Sequence, residues 1–194
     1  MLNVAPRELG RVFFDTRAYL VERLKELEPP SRLFVGWATP LILVRSAAVL
    51  VRGIATGDVA AAFVLALGNF ALQMGVWLAM GFSFPVLVRQ FGHDVDDRQG
   101  FAIITHASVP LWLAGVLYVI PDEPPIVALW SRALVALIGL YGVYVLYQSF
   151  DVLELRNRSA AVAATTLTFV VAYGFLFGLV GLSSTVLLLL LQSA

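Results

Sequence analysis

The chain has 194 residues, of which 60% are hydrophobic and only 13% are charged, and its mean hydropathy is +0.87. This composition excludes an ordinary soluble globular domain and indicates an integral membrane protein. The formal net charge is zero, so no global field favours nucleic acid as a partner, and the lack of cysteine excludes disulfides, thiolate metal sites and cysteine nucleophiles.

An amphipathic arm, residues 1–31, is predicted first. From Pro6 to Glu28, charged residues surround an apolar stripe at helical spacing that consists of Leu9, Phe13, Leu20, Leu24 and Leu27, with Val12 and Tyr19 beside it. This pattern is typical of a helix in the membrane interface with its apolar side among the acyl chains. A helix docked on another protein and a solvated arm are the alternatives. The prolines at 29 and 30 end the helix.

Five apolar segments follow within a transmembrane domain of residues 32–194. A span needs about 20 residues, because the hydrocarbon core is about 30 Å thick and a helix rises about 1.5 Å per residue. The predicted spans are 33–54, 59–88, 101–120, 126–150 and 160–181, the last with an apolar extension to 191. The predicted fold class is therefore all-α, a polytopic membrane bundle of five transmembrane helices preceded by an N-terminal amphipathic interfacial helix.

The basic residues predict the orientation, because Lys and Arg accumulate in cytoplasmic loops. The arm has six of them, and the loops on its side of the bundle have Arg89, Arg98, Arg156 and Arg158, whereas the other side has Arg52. We therefore expect a cytoplasmic N-terminus and an outside C-terminus. We expect no cleavable signal peptide. The preference for Arg over Lys is associated with a GC-rich bacterial genome, and we expect the protein in a bacterial inner (cytoplasmic) membrane.

Polar residues inside the spans are candidate functional residues, since placing them in lipid is costly. Arg45 lies near the middle of the first span, and no acidic residue lies mid-span to pair with it. One interpretation is that Arg45 leans outward, so that its guanidinium reaches the lipid headgroups. The other is an interior contact with Asn69, Gln73, a backbone carbonyl or a bound anion.

A second group of polar residues occupies one depth near the cytoplasmic ends of the third, fourth and fifth spans. It consists of His106, Tyr144, Tyr147, Gln148 and Thr165, with Thr166 and Thr168 nearby. If the helices pack together, these residues form a polar layer. The layer is either a set of interhelical hydrogen bonds or a small cavity in which His106 titrates or binds a ligand.

Signatures of metal sites and enzymes are missing from the sequence. One loop contains residue types that often bind metals, namely His93, Asp94, Asp96 and Asp97. Their spacing matches neither a calcium loop nor a zinc site, so we interpret this segment as a solvated loop. The sequence has no HExxH, GxSxG, GxxxxGK[ST] or GxGxxG motif. We therefore predict that the protein is not an enzyme and has neither a metal nor a cofactor.

Three stretches resemble the YIP family, the Ypt/Rab-GTPase-interacting membrane proteins, in a short bacterial form. They are Pro6 with the amphipathic helix and Phe34 to Pro40, then Phe101 to Pro121 with Pro110 inside it, and Leu137 to Phe150 with its glycines and tyrosines. The resemblance implies five transmembrane helices with a cytoplasmic N-terminus. For eukaryotic members it implies membrane-trafficking or membrane-organising roles exercised through protein partners.

The predicted function is a non-enzymatic membrane adaptor or organising protein that acts through protein–protein or protein–lipid contacts. Its predicted partners are the lipid bilayer and other membrane proteins or a second copy of itself, and no nucleic acid. Candidate helix-packing residues are Pro110, Gly139, Gly142, Gly174 and Gly178. The alternative is a small channel or transporter with a polar path through Arg45, Asn69, Gln73 and His106.

Overall fold

The computed structural model describes residues 6–55, 57–121, 124–155 and 157–192, and the side chains of residues 8–190 within them. Arg156 and the side chain of Arg7, which entered the charge count, lie outside the described residues. The same is true of residues 1–5 of the arm, of Thr56 and of Asp122 and Glu123 in the turn after the third span. The described residues form helices and no strand, which confirms the predicted fold class.

The described residues form two short helices and then five long ones. The short helices are α1 (Pro6–Phe14) and α2 (Thr16–Lys25), and the long ones are α3 (Pro30–Ala55), α4 (Val59–Arg89), α5 (Asp97–Val119), α6 (Pro125–Val152) and α7 (Arg158–Gln192). A π-helical stretch, Phe34–Ala38, interrupts α3, and α5 ends in a 3₁₀ stretch, Gly115–Val119. Helices α3 to α7 are long and apolar enough to cross a membrane.

Polar side chains at two loops define where the next helix begins. Asp96 accepts a hydrogen bond from the backbone N–H of Gln99 at 2.7 Å, and the Gln99 side chain accepts one from the Asp96 N–H at 3.2 Å. This capping box starts α5 at Asp97, whereas the sequence-based span began at residue 101. In the same way, Asp58 caps α4 by accepting from the Ala61 N–H at 2.9 Å.

Helix α5 lies at the centre of the bundle, in contact with α3, α4 and α6 and also with α2 of the arm. More than half of its most apolar stretch is buried, whereas none of the corresponding stretch of α7 is buried. Helix α7 packs mainly along α4 and less extensively along α6. The bundle therefore has a buried centre around α5 and a peripheral helix whose surface is largely uncovered.

The arm is two helices rather than the single helix predicted from Pro6 to Glu28, because the backbone leaves the helical conformation at Asp15. Val12, Tyr19 and Leu20 are completely buried, and Leu9, Phe13, Leu24 and Leu27 pack against the same core. Sequence analysis expected these side chains to lie among the acyl chains. In the structure they contact the protein's own bundle, where α5 and α6 supply the apolar surface.

Candidate functional site

The first candidate site joins the arm to the bundle through three rings, those of Tyr19, Trp37 and His106, which we call the arm lock. The Tyr19 hydroxyl oxygen on α2 lies 3.1 Å from Nδ1 of His106 on α5. The His106 ring also meets the rings of Tyr19 and Trp37 edge-on, with a centroid distance of 5.1 Å to each. All three residues are almost fully buried, so the hydrogen bond is shielded from water.

A second set of contacts ties the arm to α6. Tyr141 donates its hydroxyl to the backbone carbonyl of Phe13 at 2.8 Å, and its ring stacks on the Phe13 ring with centroids 5.3 Å apart. The Tyr141 hydroxyl is also 2.9 Å from Oγ1 of Thr16. At the end of α6, Asp151 forms ion pairs with Arg17 of the arm and with Arg158 of α7. The arm is thus fixed to α5 and α6, and Asp151 links it to the start of α7.

Ion pairs hold α1 and α2 against each other. Arg23 lies 2.6 Å from Glu8 and 3.3 Å from Glu28, and Arg11 lies 2.6 Å from Glu22. The hydrogen bond from Arg11 lowers the pKa of Glu22. Burial tends to lower the pKa of Arg23, but the hydrogen bond to Glu8 and the nearby charges outweigh it, and the pKa is raised. The lowered pKa of Glu22 and the raised pKa values of Arg11 and Arg23 keep these three groups charged at neutral pH.

Burial also raises the pKa of the Tyr19 phenol, with smaller opposing effects from Arg23. The Tyr19 hydroxyl therefore stays protonated over the physiological pH range and can form its hydrogen bond in the arm lock. The guanidinium of Arg23 lies 5.6 Å from the centroid of the Tyr19 ring, so a cation also covers the face of this ring.

The second candidate site surrounds Arg45 on α3, which is only 3% exposed. Its Nη2 lies 3.4 Å from the Tyr118 hydroxyl and 3.5 Å from the Tyr173 hydroxyl, and its guanidinium lies 4.7 Å from the centroid of the Tyr118 ring. Arg45 thus lies inside the bundle, but its neighbours are two tyrosine hydroxyls rather than the Asn69, Gln73 or backbone carbonyl named in the sequence analysis. The long apolar stem is enclosed because Gly115 has no side chain there: an added Cβ would lie 2.5 Å from Cγ of Arg45.

The residues proposed for a polar path lie in three different places. Asn69 borders the same cavity as Arg45 and donates from Nδ2 to Oγ of Ser46 at 3.0 Å. Gln73 borders a separate cavity of about 10 Å³, and His106 belongs to the arm lock. A cavity of this size holds about one water molecule, so the space beside Gln73 is too small for a hydrated ion to pass.

The residues predicted to form a polar layer do not converge on one cluster. Tyr144 and Tyr147 are 46% and 39% exposed on the outer side of α6, and Gln148 is half-buried. Thr165 is buried and donates to the carbonyl of Ala161 in its own helix at 2.8 Å, beside a cavity of about 90 Å³. His106 instead bonds to the arm, so these side chains share a depth in the membrane without sharing a site.

The candidate packing residues divide into an inward and an outward group. Pro110 is buried in α5, and Gly142 is buried where α6 crosses α5: an added Cβ would lie 2.4 Å from the carbonyl oxygen of Ala107. Gly139 lies beside Leu111. Gly174 and Gly178, in contrast, face open space on α7, where no atom lies within 4 Å of an added Cβ. Sequence analysis grouped all four glycines together as candidate helix-packing residues.

Sequence analysis did not assign site roles to the tyrosines that form the arm lock and contact Arg45. Tyr19 was visible on the arm's apolar stripe, where a hydroxyl that needs a buried partner is a usable signal. Tyr118 and Tyr173 carry no comparable signal, because each follows apolar neighbours in a span. Trp77 and Thr105 were also overlooked, although Nε1 of Trp77 donates to Oγ1 of Thr105 at 2.9 Å between α4 and α5.

Comparison with known proteins gives one match. The family model described as the Yip1 domain matches residues 11–190, which is most of the chain. The match spans α2 to α6, the last four residues of α1 and nearly all of α7, and so includes both candidate sites. No curated protein and no solved structure matches the chain.

Proposed function

This chain belongs to the Yip1 domain family, and from that premise we propose that it is a non-enzymatic membrane adaptor that organises the membrane through contacts with other membrane proteins and lipid. The chain is a multi-pass integral membrane protein with five helices of spanning length. To this class of membrane protein the proposal adds a mode of action, which is contact with other membrane proteins and lipid. It further places the protein in a bacterial inner membrane with its arm on the cytoplasmic side.

The observation that carries the proposal is the uncovered surface of α7. None of its most apolar stretch is buried, and Gly174 and Gly178, one turn apart, leave a shallow depression on that surface. In lipid, apolar burial does not drive helices together, so association depends on close backbone approach at small residues. A helix of a partner or of a second copy can make that approach at these two glycines.

The polar side chains inside the described bundle support a non-enzymatic role. Thr105 donates to the carbonyl of Phe101 at 2.6 Å and accepts from Trp77, and Ser149 donates to the carbonyl of Val145 at 2.9 Å. Thr105 links α5 to α4 through Trp77, whereas Ser149 bonds within its own helix, and no described acid or histidine is hydrogen-bonded to either hydroxyl as a base would be. Their arrangement supports packing rather than nucleophilic catalysis.

The orientation is proposed from charge. The described basic residues at the arm end of the bundle include Arg17, Arg23, Lys25, Arg89 and Arg158. Such a concentration favours the cytoplasmic side. Labelling of single cysteines, introduced in this cysteine-free chain at the exposed Arg17 and at Gly57 at the other end, tests it in intact cells. A membrane-impermeant maleimide is expected to label only the cysteine at position 57.

The adaptor role is tested by gentle extraction into native-lipid nanodiscs, size-exclusion chromatography and mass spectrometry of the co-migrating proteins. We expect the wild type to migrate with a defined membrane partner or as a homo-oligomer. The double variant G174L/G178L fills the depression and is expected to lose that association. Leu179→Phe adds bulk on another exposed face of the same helix and is the control that should retain it.

Two results would contradict the adaptor role. One is a wild-type protein that migrates alone as a monomer in native lipid. The other is a double variant that keeps the same co-migrating protein in the same ratio, which would show that the glycine surface of α7 is not the contact.

A further inference from the structure

Arg45 is a buried cation whose donors are largely unused. Its Nε and Nη1 atoms are buried and have no hydrogen-bond partner, and its two contacts to tyrosine hydroxyls are long, at 3.4 and 3.5 Å. Among the described residues no carboxylate lies within ion-pair distance of it. A guanidinium keeps its charge in proteins, so this site holds a positive charge without a negative one.

A cavity of about 340 Å³ lies next to this guanidinium, between α4 and α7, and we call it the Arg45 cavity. Its volume lies within the range of about 300–1,000 Å³ that is usual for ligand sites. Its polar lining includes Asn69, Tyr118, Tyr173 and Ser184, and none of the described lining residues is acidic. The cavity therefore combines space, hydroxyl groups and one unpaired positive charge.

The position of the cavity indicates how a ligand reaches it. Tyr118 lies in the last turn of α5, at the end of the bundle away from the arm. Leu65 and Phe177, which also border the cavity, are 48% and 60% exposed on the outer surface of the bundle. A group with hydrocarbon chains can thus place its polar end at Arg45 while its chains remain outside.

We infer that the Arg45 cavity binds a phosphate group, with the guanidinium as the principal donor and the hydroxyls of Tyr118 and Tyr173 as supporting donors. A guanidinium forms strong, charge-assisted hydrogen bonds to phosphate oxygens. The phosphate can belong to the headgroup of a phospholipid or to a free anion, and the following experiment distinguishes the two. This inference goes beyond the adaptor role and does not depend on it.

The test uses the full chain in dodecyl maltoside after lipid removal. Three probes are added in turn: dioleoyl phosphatidylglycerol, dioleoylglycerol with the same chains but no phosphate, and inorganic phosphate against chloride at equal ionic strength. Binding is measured by native mass spectrometry and by the shift in the thermal unfolding midpoint. We expect phosphatidylglycerol to bind and stabilise, and dioleoylglycerol to have no effect. Stabilisation by inorganic phosphate alone would identify a free anion as the ligand.

Two variants locate the site. Arg45→Met removes the charge and is expected to weaken phosphatidylglycerol binding at least about tenfold, since charge-assisted hydrogen bonds are lost. Gly181→Phe fills the cavity from α7, where no atom lies within 4 Å of an added Cβ, and leaves Arg45 in place. Leu179→Phe is its control, because Leu179 is exposed on the same helix and lies outside the cavity, and this variant should bind like the wild type.

The inference is overturned if the wild type binds neither phosphate probe, or if dioleoylglycerol stabilises it as much as phosphatidylglycerol does. It is also overturned if Gly181→Phe binds phosphatidylglycerol as tightly as Leu179→Phe does. This last comparison decides the question even if Arg45→Met does not fold.

Discussion

The hydrogen bond between Tyr19 and His106 should control how firmly the arm is held on the bundle. Both residues are buried, and their hydroxyl oxygen and Nδ1 lie 3.1 Å apart. Tyr19→Phe removes the hydroxyl, keeps the ring in place and leaves Nδ1 of His106 buried without its partner. A buried polar group left in this way costs about 1–3 kcal/mol. The opening of the arm should become more favourable by that amount.

Hydrogen exchange of the α2 amides in detergent measures this opening directly. A cost of about 1–3 kcal/mol corresponds to about 5- to 140-fold faster exchange when opening is in rapid equilibrium. Amides in the middle of α4 should be unaffected, because α4 is held by α3, α5 and α7 rather than by the arm. Tyr144→Phe removes a hydroxyl from an exposed tyrosine and is the matched control.

A double-mutant cycle separates the hydrogen bond from the packing of the rings. His106→Phe keeps an aromatic ring against Trp37 and leaves the Tyr19 hydroxyl unpaired, whereas Y19F/H106F removes both polar groups together. The double variant should therefore cost less than the sum of the single ones, by about 1–2 kcal/mol. Additive effects within about 0.5 kcal/mol, or unchanged α2 exchange in Tyr19→Phe, would refute the arm lock as a coupled pair.

Two further perturbations test the packing and the arm. Gly142→Ala should lower the free energy of unfolding in detergent by about 1–3 kcal/mol, because the new Cβ would meet the Ala107 carbonyl oxygen, while Gly174→Ala faces open space and should cause no loss. An equal loss in both variants would contradict this packing. Below pH 4.5 the arm should loosen. Because Arg11 lowers the pKa of Glu22, the ionised Glu22 stabilises the arm fully above its usual pKa of 4.5. This stabilisation is lost as the pH falls through the lowered pKa of Glu22 in the folded protein. Thermal unfolding of Glu22→Gln should lack this part of the pH dependence, and an unchanged acid profile in that variant would assign the effect to other carboxylates.

The boundaries of the helices show how far local sequence can be read. Hydropathy placed the third span at residues 101–120, but α5 begins at Asp97 because Asp96 and Gln99 form a capping box. That start was readable, since an aspartate three residues before a glutamine is a local signal. The break of the arm at Asp15 was less readable, because both halves continue the same apolar stripe.

Partners of polar residues were harder to predict than the helices that carry them. Sequence analysis singled out Arg45 as costly, but the choice between headgroups and interior depends on Tyr118 and Tyr173, which are 73 and 128 positions away in the chain. The predicted polar layer assumed that equal depth means contact. Rotation of each helix about its axis decides contact, and it turns Tyr144 and Tyr147 outward while His106 faces the arm.

The sequence by itself determined that the chain is a membrane bundle of five helices, because hydropathy over about 20 residues is a local property and lipid forces each spanning backbone to satisfy its own hydrogen bonds as a helix. Only the tertiary structure decided that the arm packs on the bundle and that Arg45 faces a cavity. Those outcomes depend on contacts such as Tyr19 with His106, 87 positions apart. Close packing of side chains from different helices selects such pairs, and no local pattern encodes them.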